Sequence, residues 1–307
     1  MNRQKFKQTI PYLLLGMFTL FFCWFFCGRY GVFGSKVDWI SQHSVLPDYF
    51  RQQFYNTGQL FPEFAANIGG GQNIYNFAYY GLYSPVVLIS YFLPFVKMSD
   101  YMMAAGVISL LAAVLLFYKW LLRRGITSRL SFLTALLFLL SGPMIYHSYN
   151  QIMFVNYMPF LCLAFLGVDR YFEKQKAGLY TISVFLMILT SFYFSIGGMF
   201  ALVLYVIYRY TEGKEKLGEN IKILGFVSDG FRFLLPMLTA VLMSAVLLVP
   251  TAMALAGGRE GGHKTALSAL LIPENSDFPG CIYAVRYRID NTCDHGPDYR
   301  IDISEAI

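Results

Sequence analysis

Asp38 stands shortly after the first long apolar run of the chain, in the stretch Lys36-Val37-Asp38-Trp39-Ile40-Ser41-Gln42-His43. A carboxylate in that polar and aromatic setting can take a proton from a hydroxyl or contact a metal ion. It can equally be one solvated loop charge among several. Glu63, in Phe61-Pro62-Glu63-Phe64, is a second acid that would let base and metal roles be divided. Next comes Asn67-Ile68-Gly69-Gly70-Gly71-Gln72-Asn73-Ile74-Tyr75-Asn76. Consecutive glycines let backbone amides approach a ligand, and Asn73 with its neighbours offers donors and acceptors suited to hydroxyl groups. A flexible turn between two surface helices uses the same residues and is the simpler reading. Neither Lys-Ser nor Lys-Thr follows the glycines, which excludes a nucleotide-binding loop.

Other candidates lie further along. Gln42, Trp39, Tyr75, Tyr79 and Tyr80 can bond to or stack on a ligand ring, although tyrosine at a membrane boundary is commonly part of an aromatic belt. His147, Tyr149 and Asn150 contact a ligand or cap two helix ends, with capping favoured. Arg259, His263 and Lys264 stand among glycines in Gly257-Gly258-Arg259-Glu260-Gly261-Gly262-His263-Lys264. They either meet a phosphate or anchor the chain at an interface. Cys281, Cys293 and His295 match no zinc-binding spacing.

The elements that must position these residues are membrane spans. The chain is 56% hydrophobic and only 14% charged, well below the charge of a soluble domain. Apolar runs at 10–27, 101–120, 130–146, 152–168, 177–194, 199–210 and 231–256 mostly reach the length a helix needs to cross a bilayer. Helices are required, because each buried amide must find its partner within the segment. The fold class is an all-α polytopic transmembrane bundle of about seven spans. The first run is long and bulky with no small-residue cleavage site after it, so it reads as a retained anchor.

Basic residues set the expected orientation. Arg3, Lys5 and Lys7 precede the first run, and Lys119, Arg123, Arg124, Arg129, Arg170, Lys174, Lys176, Arg209, Lys214 and Lys216 cluster at alternate connections. The connections 147–151 and 195–198 carry none. Excess Lys and Arg stay cytoplasmic, which places the N-terminus inside and Asp38 outside. The run at 86–96 is short and contains Pro94, so it reads as an interfacial or re-entrant segment. The net charge of +6 follows from topology and attraction to anionic lipid, and no nucleic-acid partner is implied. Residues 47–56 read as an amphipathic helix with Leu46, Phe50 and Phe54 on one face, stopped by Gly58 and lying on the outer membrane surface. The expected organisation is 1–28, N-terminus and first span; 29–100, an external loop with interfacial helices; 101–256, the remaining spans; 257–273, an external basic loop; and 274–307, a divergent, disordered tail.

Taken together, Val37-Asp38-Trp39, Gln42, Pro47, the 67–73 glycine segment and Tyr79-Tyr80-Gly81-Leu82-Tyr83-Ser84-Pro85 resemble the YfhO-like bacterial membrane proteins. Asn150-Gln151-Ile152-Met153, Tyr157-Met158-Pro159, Ser191-Phe192-Tyr193-Phe194 and the 257–264 segment continue the likeness. It covers roughly residues 11–273, with the motifs in the family's order. The resemblance implies a GT-C-like glycosyltransferase in the bacterial cytoplasmic membrane. Such an enzyme moves a sugar from a polyprenyl-phosphate donor to a cell-envelope glycopolymer such as lipoteichoic acid. It implies Asp38 as the catalytic or metal-contacting carboxylate, with a divalent cation left open as cofactor. On that reading Glu63 is the second acid, and Gln42, Asn73, Tyr80, Asn150, Arg259, His263 and Lys264 bind substrate. A non-catalytic membrane subunit and a transporter or flippase for a lipid-linked precursor are the competing classes. Family chains are longer, and 274–307 holds seven acidic and three basic residues without a span. A frame change or interruption near Pro273 is therefore expected.

Overall fold

The structure is a computed structural model that describes residues 3–31, 38–62, 64–68, 71–216, 218 and 223–256. The chain divides into Met1–Gly257 and Gly258–Ile307. The second unit lies outside the described residues, as do the whole of the expected tail and of the expected basic loop.

Helix α1 (Arg3–Tyr30) shows what solvent the fold is built for. Leu13, Met17, Phe21 and Trp24 are exposed along one stripe, while Leu15, Thr19, Phe22 and Cys23 are buried on the other. An outward apolar stripe inverts the amphipathicity of a water-soluble helix, and hydrocarbon is the medium that accommodates it. Among the described residues, five helices are long and apolar enough to cross a membrane. They fall within α1, α4 (Met98–Arg123), α7 (Ile152–Lys174), α9 (Phe192–Lys216) and α10 (Ile223–Met243). Helices α5 (Ser128–Leu139) and α6 (Gly142–Asn150) make a sixth span if taken together, bent by 47°. Pro143 stands in the first turn of α6, where a missing N–H costs least. The protein is a polytopic helical membrane protein.

The span boundaries differ from hydropathy in two places. The connection expected at 195–198 lies inside α9. The break falls at Ser191, in extended conformation between α8 (Gly178–Thr190) and α9. The long run at 231–256 is two helices, α10 and α11 (Ala245–Ala256), parted at Ser244. With 13 residues, α8 spans only about 20 Å.

Helix α7 is the centre of the bundle, packed chiefly on α4 and α8. Gly167 makes the α7–α8 approach possible. A Cβ there would lie 2.6 Å from Tyr180 Cα and 2.7 Å from Tyr180 N, so only glycine admits the neighbouring backbone. Small residues at such crossings replace the hydrophobic drive that lipid removes. Connections then alternate between two ends. The breaks at Gln151, Ser191 and Ser244 face the same way as the Asp38 segment. The turns after α4 and α7 face the other way, among the basic residues.

The segment between α1 and α4 is a compact polar module. A π-helical turn, Trp39–His43, leads into α2 (Val45–Thr57), stopped at the left-handed Gly58. The two-residue strands β1 (Phe64–Ala65) and β2 (Gln72–Asn73) pair antiparallel. A 3₁₀ helix, Ile74–Tyr80, and α3 (Pro85–Ser90) follow. At six residues α3 is far too short to cross, and Phe92 and Phe95 beyond it are more than four-fifths exposed. Of the glycine segment, Gly71 is described, at φ 99° just before β2 and facing the Phe64 ring.

The apolar face of α2 is covered by the chain itself. Leu46 and Phe50 pack with Ala65, Ile74, Ala78, Leu82, Tyr83 and, from α11, Leu247. Arg51 is buried on the same helix, donating to the Leu93 and Val96 carbonyls at 3.2 and 2.9 Å and pairing with Asp48 at 2.7 Å. Asp48 therefore helps tie α2 to the turn before α4.

Candidate functional site

Asp38 caps the π-helical turn with helical backbone angles and is half-buried. Ser44 closes the turn, its N–H and Oγ both donating to the Trp39 carbonyl at 3.1 and 2.6 Å. Trp39 is an anchor rather than an open stacking platform. It is buried among Val87, Met98, Met102, Ile152 and Met153, which fixes the turn against the first residues of α4 and α7.

That anchoring turns Gln42 and His43 inward. Gln42 Oε1 accepts from the Tyr80 hydroxyl at 2.5 Å. His43 is only 1% exposed, and its Nδ1 has no hydrogen-bond partner among the described residues. Burial lowers the His43 pKa from its ordinary 6.5, opposed by the nearby charge of Asp38. The imidazole is thus neutral at neutral pH, a hydrogen-bonding group rather than a cation.

Two helix breaks meet the module at the adjacent tyrosine. The Tyr79 hydroxyl donates to Gln151 Oε1 at 2.7 Å, in the non-helical residue that joins α6 to α7. Its ring meets Tyr193 and Phe194 at 5.9 and 6.4 Å between centroids, at the start of α9. Burial pushes the Tyr79 phenol up to about 12, with smaller contributions from Tyr80, Tyr193 and Asp38. Asp38 thus acts on both His43 and Tyr79, and the group joins a carboxylate, a neutral imidazole, two amides and several phenols. Such a set can accept a proton from a hydroxyl, bond to neighbouring hydroxyls and stack on a ring.

Gln42 and Tyr80 are therefore brought together, with Asp38 near enough for its charge to act on His43 and Tyr79, while Asn73 and Asn150 have local partners. Asn73 caps the 3₁₀ helix by accepting from the Tyr75 N–H at 2.9 Å, and Asn150 donates to the Tyr146 carbonyl at 3.1 Å. Glu63, Arg259, His263 and Lys264 lie outside the described residues. Among the described residues no group of three or more His, Cys, Asp or Glu side chains is placed to hold a metal ion.

The comparisons bear on this arrangement directly. The model of the family described as "Bacterial membrane protein YfhO" matches residues 9–271. The chain belongs to this family. No curated protein and no solved structure matches it. The YfhO match takes in the whole polar module, all three helix breaks and the segment with Arg259, His263 and Lys264. With its apolar helices it makes the chain a multi-pass membrane protein of the cell envelope.

Sequence reasoning about this YfhO chain passed over His43, Gln151 and Tyr193 as site members, although Gln151 and Tyr193 sit in motifs quoted for the resemblance and His43 ends the Lys36–His43 stretch. For Gln151 the signal was available: a polar residue at a break between two apolar runs has no reason to face lipid. A second group was missed at the opposite end. Asp169 is fully buried, accepting from the Tyr205 hydroxyl at 2.6 Å and pairing with Arg209 at 2.9 Å and Arg124 at 3.7 Å. Glu212 bridges the same two arginines. The apolar run read from hydropathy stops at residue 168, one position short of Asp169.

Proposed function

We propose that this chain is a membrane glycosyltransferase, with Asp38 as its catalytic carboxylate and the Asp38 end on the outer face of the cytoplasmic membrane. The observation that supports this most is the meeting of Asp38, Gln42, His43, Tyr79, Tyr80 and Gln151 from three separate chain segments. The YfhO family is associated with glycosyltransferase-like function. A bundle with lipid-facing helices beside such a site suits a donor whose sugar is polar and whose carrier is a polyprenyl chain.

In the proposed reaction an acceptor hydroxyl of a cell-envelope glycopolymer attacks the anomeric carbon of the donor sugar. The new bond joins that carbon to the acceptor oxygen, and the bond to the carrier phosphate oxygen breaks. Asp38 takes the hydroxyl proton, and polyprenyl phosphate leaves with the negative charge. Gln42, Gln151 and the Tyr79 and Tyr80 rings hold the sugar. Neutral His43 contributes hydrogen bonding without adding a competing positive charge. Arg259, His263 and Lys264 are assigned to the departing phosphate, and Glu63 to a supporting acidic role.

A second reading, transport of the lipid-linked precursor, draws on the broken helices, which carriers also use. Sugar release from a polyprenyl-phosphate donor in proteoliposomes, wild type against Asp38→Asn, separates the two. Turnover that survives the substitution overturns the catalytic assignment.

A further inference from the structure

At the end of the bundle opposite Asp38, a cavity of about 270 Å³ opens between α4, α7 and α8. Its lining is graded. Lys119 and Arg123 lie one turn apart on α4, and Arg170 and Lys174 one turn apart on α7. Leu163 and Leu166 lie further along α7 toward the middle of the bundle, and Leu179 closes the side from α8. At 1.5 Å per residue, the leucines sit roughly 6–16 Å deeper than the α7 cations.

The charge there is not balanced by the protein. Arg123 pairs with Glu173 at 2.5 Å. Lys119, Arg170 and Lys174 have no ion pair among the described residues, and all three are exposed. The contrast with the adjacent Asp169 group is informative, because there each arginine has an acid. Cations gathered unpaired around a concavity repel one another unless an anion enters.

We infer that this cavity binds the phosphate headgroup of an anionic membrane phospholipid, with the cations around the phosphate and an acyl chain along Leu163 and Leu166. The depth gradient selects a lipid over a free phosphate, since a small anion has no use for the apolar floor. Guanidinium groups bond phosphate oxygens in pairs, and basic pockets between membrane helices recognise such headgroups. The inference is independent of the transferase reading, as it uses neither Asp38 nor any residue at that end.

The test uses the full chain purified in detergent, with dioleoylphosphatidylglycerol or dioleoylphosphatidylcholine added in mixed micelles. Retained lipid is measured by native mass spectrometry and stability by melting temperature. Phosphatidylglycerol should be retained and should raise the melting temperature, and phosphatidylcholine should do neither. Arg170→Gln with Lys174→Gln should weaken phosphatidylglycerol retention about tenfold or more. Arg129→Gln with Lys176→Gln removes equal charge at the same end outside the cavity, and should leave retention unchanged. Should the first pair melt early without lipid, Lys119→Gln alone gives the same comparison. Equal loss in both pairs, or equal stabilisation by phosphatidylcholine, would overturn the site. Sodium phosphate giving the full stabilisation by itself would overturn the lipid assignment.

Discussion

Tyr79 donates to Gln151 at 2.7 Å across 72 positions of sequence, and this one bond joins the polar module to the break between α6 and α7. Tyr79 is held from the other side by Tyr193 and Phe194, so the module is clamped to two breaks through one side chain. Tyr79→Phe keeps the ring contacts and removes only the hydroxyl. It should cost about 1 kcal/mol, the net value of a typical hydrogen bond, seen as a small fall in melting temperature. Gln151→Leu should cost a similar amount, and the double variant should cost less than the two added together. Full additivity would mean that the bond contributes nothing to docking.

His43 gives the site an acid-sensitive element. Its folded pKa lies below 6.5 because of burial, so the fold favours the neutral ring. That contribution is fully present above pH 6.5 and is lost as pH falls through the lower folded value. Wild-type melting temperature should therefore drop between neutral pH and mildly acidic pH by more than that of His43→Gln. Parallel pH profiles for the two proteins would show that the imidazole does not feel its burial.

The packing of α7 on α8 depends on a glycine. Gly167→Ala would place a methyl 2.6 Å from the Tyr180 backbone, which a backbone atom cannot evade by changing rotamer. The helices must separate, at about 1–3 kcal/mol. Gly213→Ala, where an added Cβ meets nothing within 4 Å, is the matched control and should be neutral or slightly stabilising. Equal melting temperatures for the two variants would disprove the close crossing.

How far these features could be read in the sequence depended on what hydropathy senses. The span at 10–27, the α2 helix near 47–56 with its Gly58 stop, and the inability of 86–96 to cross all follow from length, period and turn residues. They reappear in α1, in Val45–Thr57 and in six-residue α3. The break at Ser191 was invisible, because Phe192, Tyr193 and Phe194 continue beyond it the apolar run that precedes it. The covered face of α2 was equally hidden, since lipid and Leu247 satisfy the same apolar stripe. Asp38, Gln42 and Tyr80 were legible as a polar motif. That Tyr79 and Gln151 meet is a tertiary fact that no local pattern carries.

Orientation is open to direct measurement. With the five native cysteines replaced by serine, a single cysteine at Asn73 should react with a membrane-impermeant thiol reagent applied to intact cells. A single cysteine at Glu215 should react only after the membrane is opened. Asn73 is exposed in the polar module and Glu215 lies near the basic end of α9, so the pair reports on opposite ends of the bundle. The reverse pattern would put Asp38 in the cytoplasm, away from any outer-face acceptor.

Asp38→Asn keeps size and shape while removing the charge, and Trp39 and Ser44, which hold the turn, are untouched. Sugar transfer by the full chain in proteoliposomes should fall about 10²-fold or more, the usual consequence of losing a general base, while donor binding and melting temperature stay close to wild type. Arg259→Ala and Lys264→Ala should behave differently, weakening the hold on the polyprenyl phosphate and raising the donor concentration needed for half-maximal rate. Donor binding measured separately from turnover distinguishes the two classes of effect. Loss of binding together with turnover in Asp38→Asn would make Asp38 a structural cap of its turn. Retained turnover would leave it a loop charge and remove the basis of the catalytic reading.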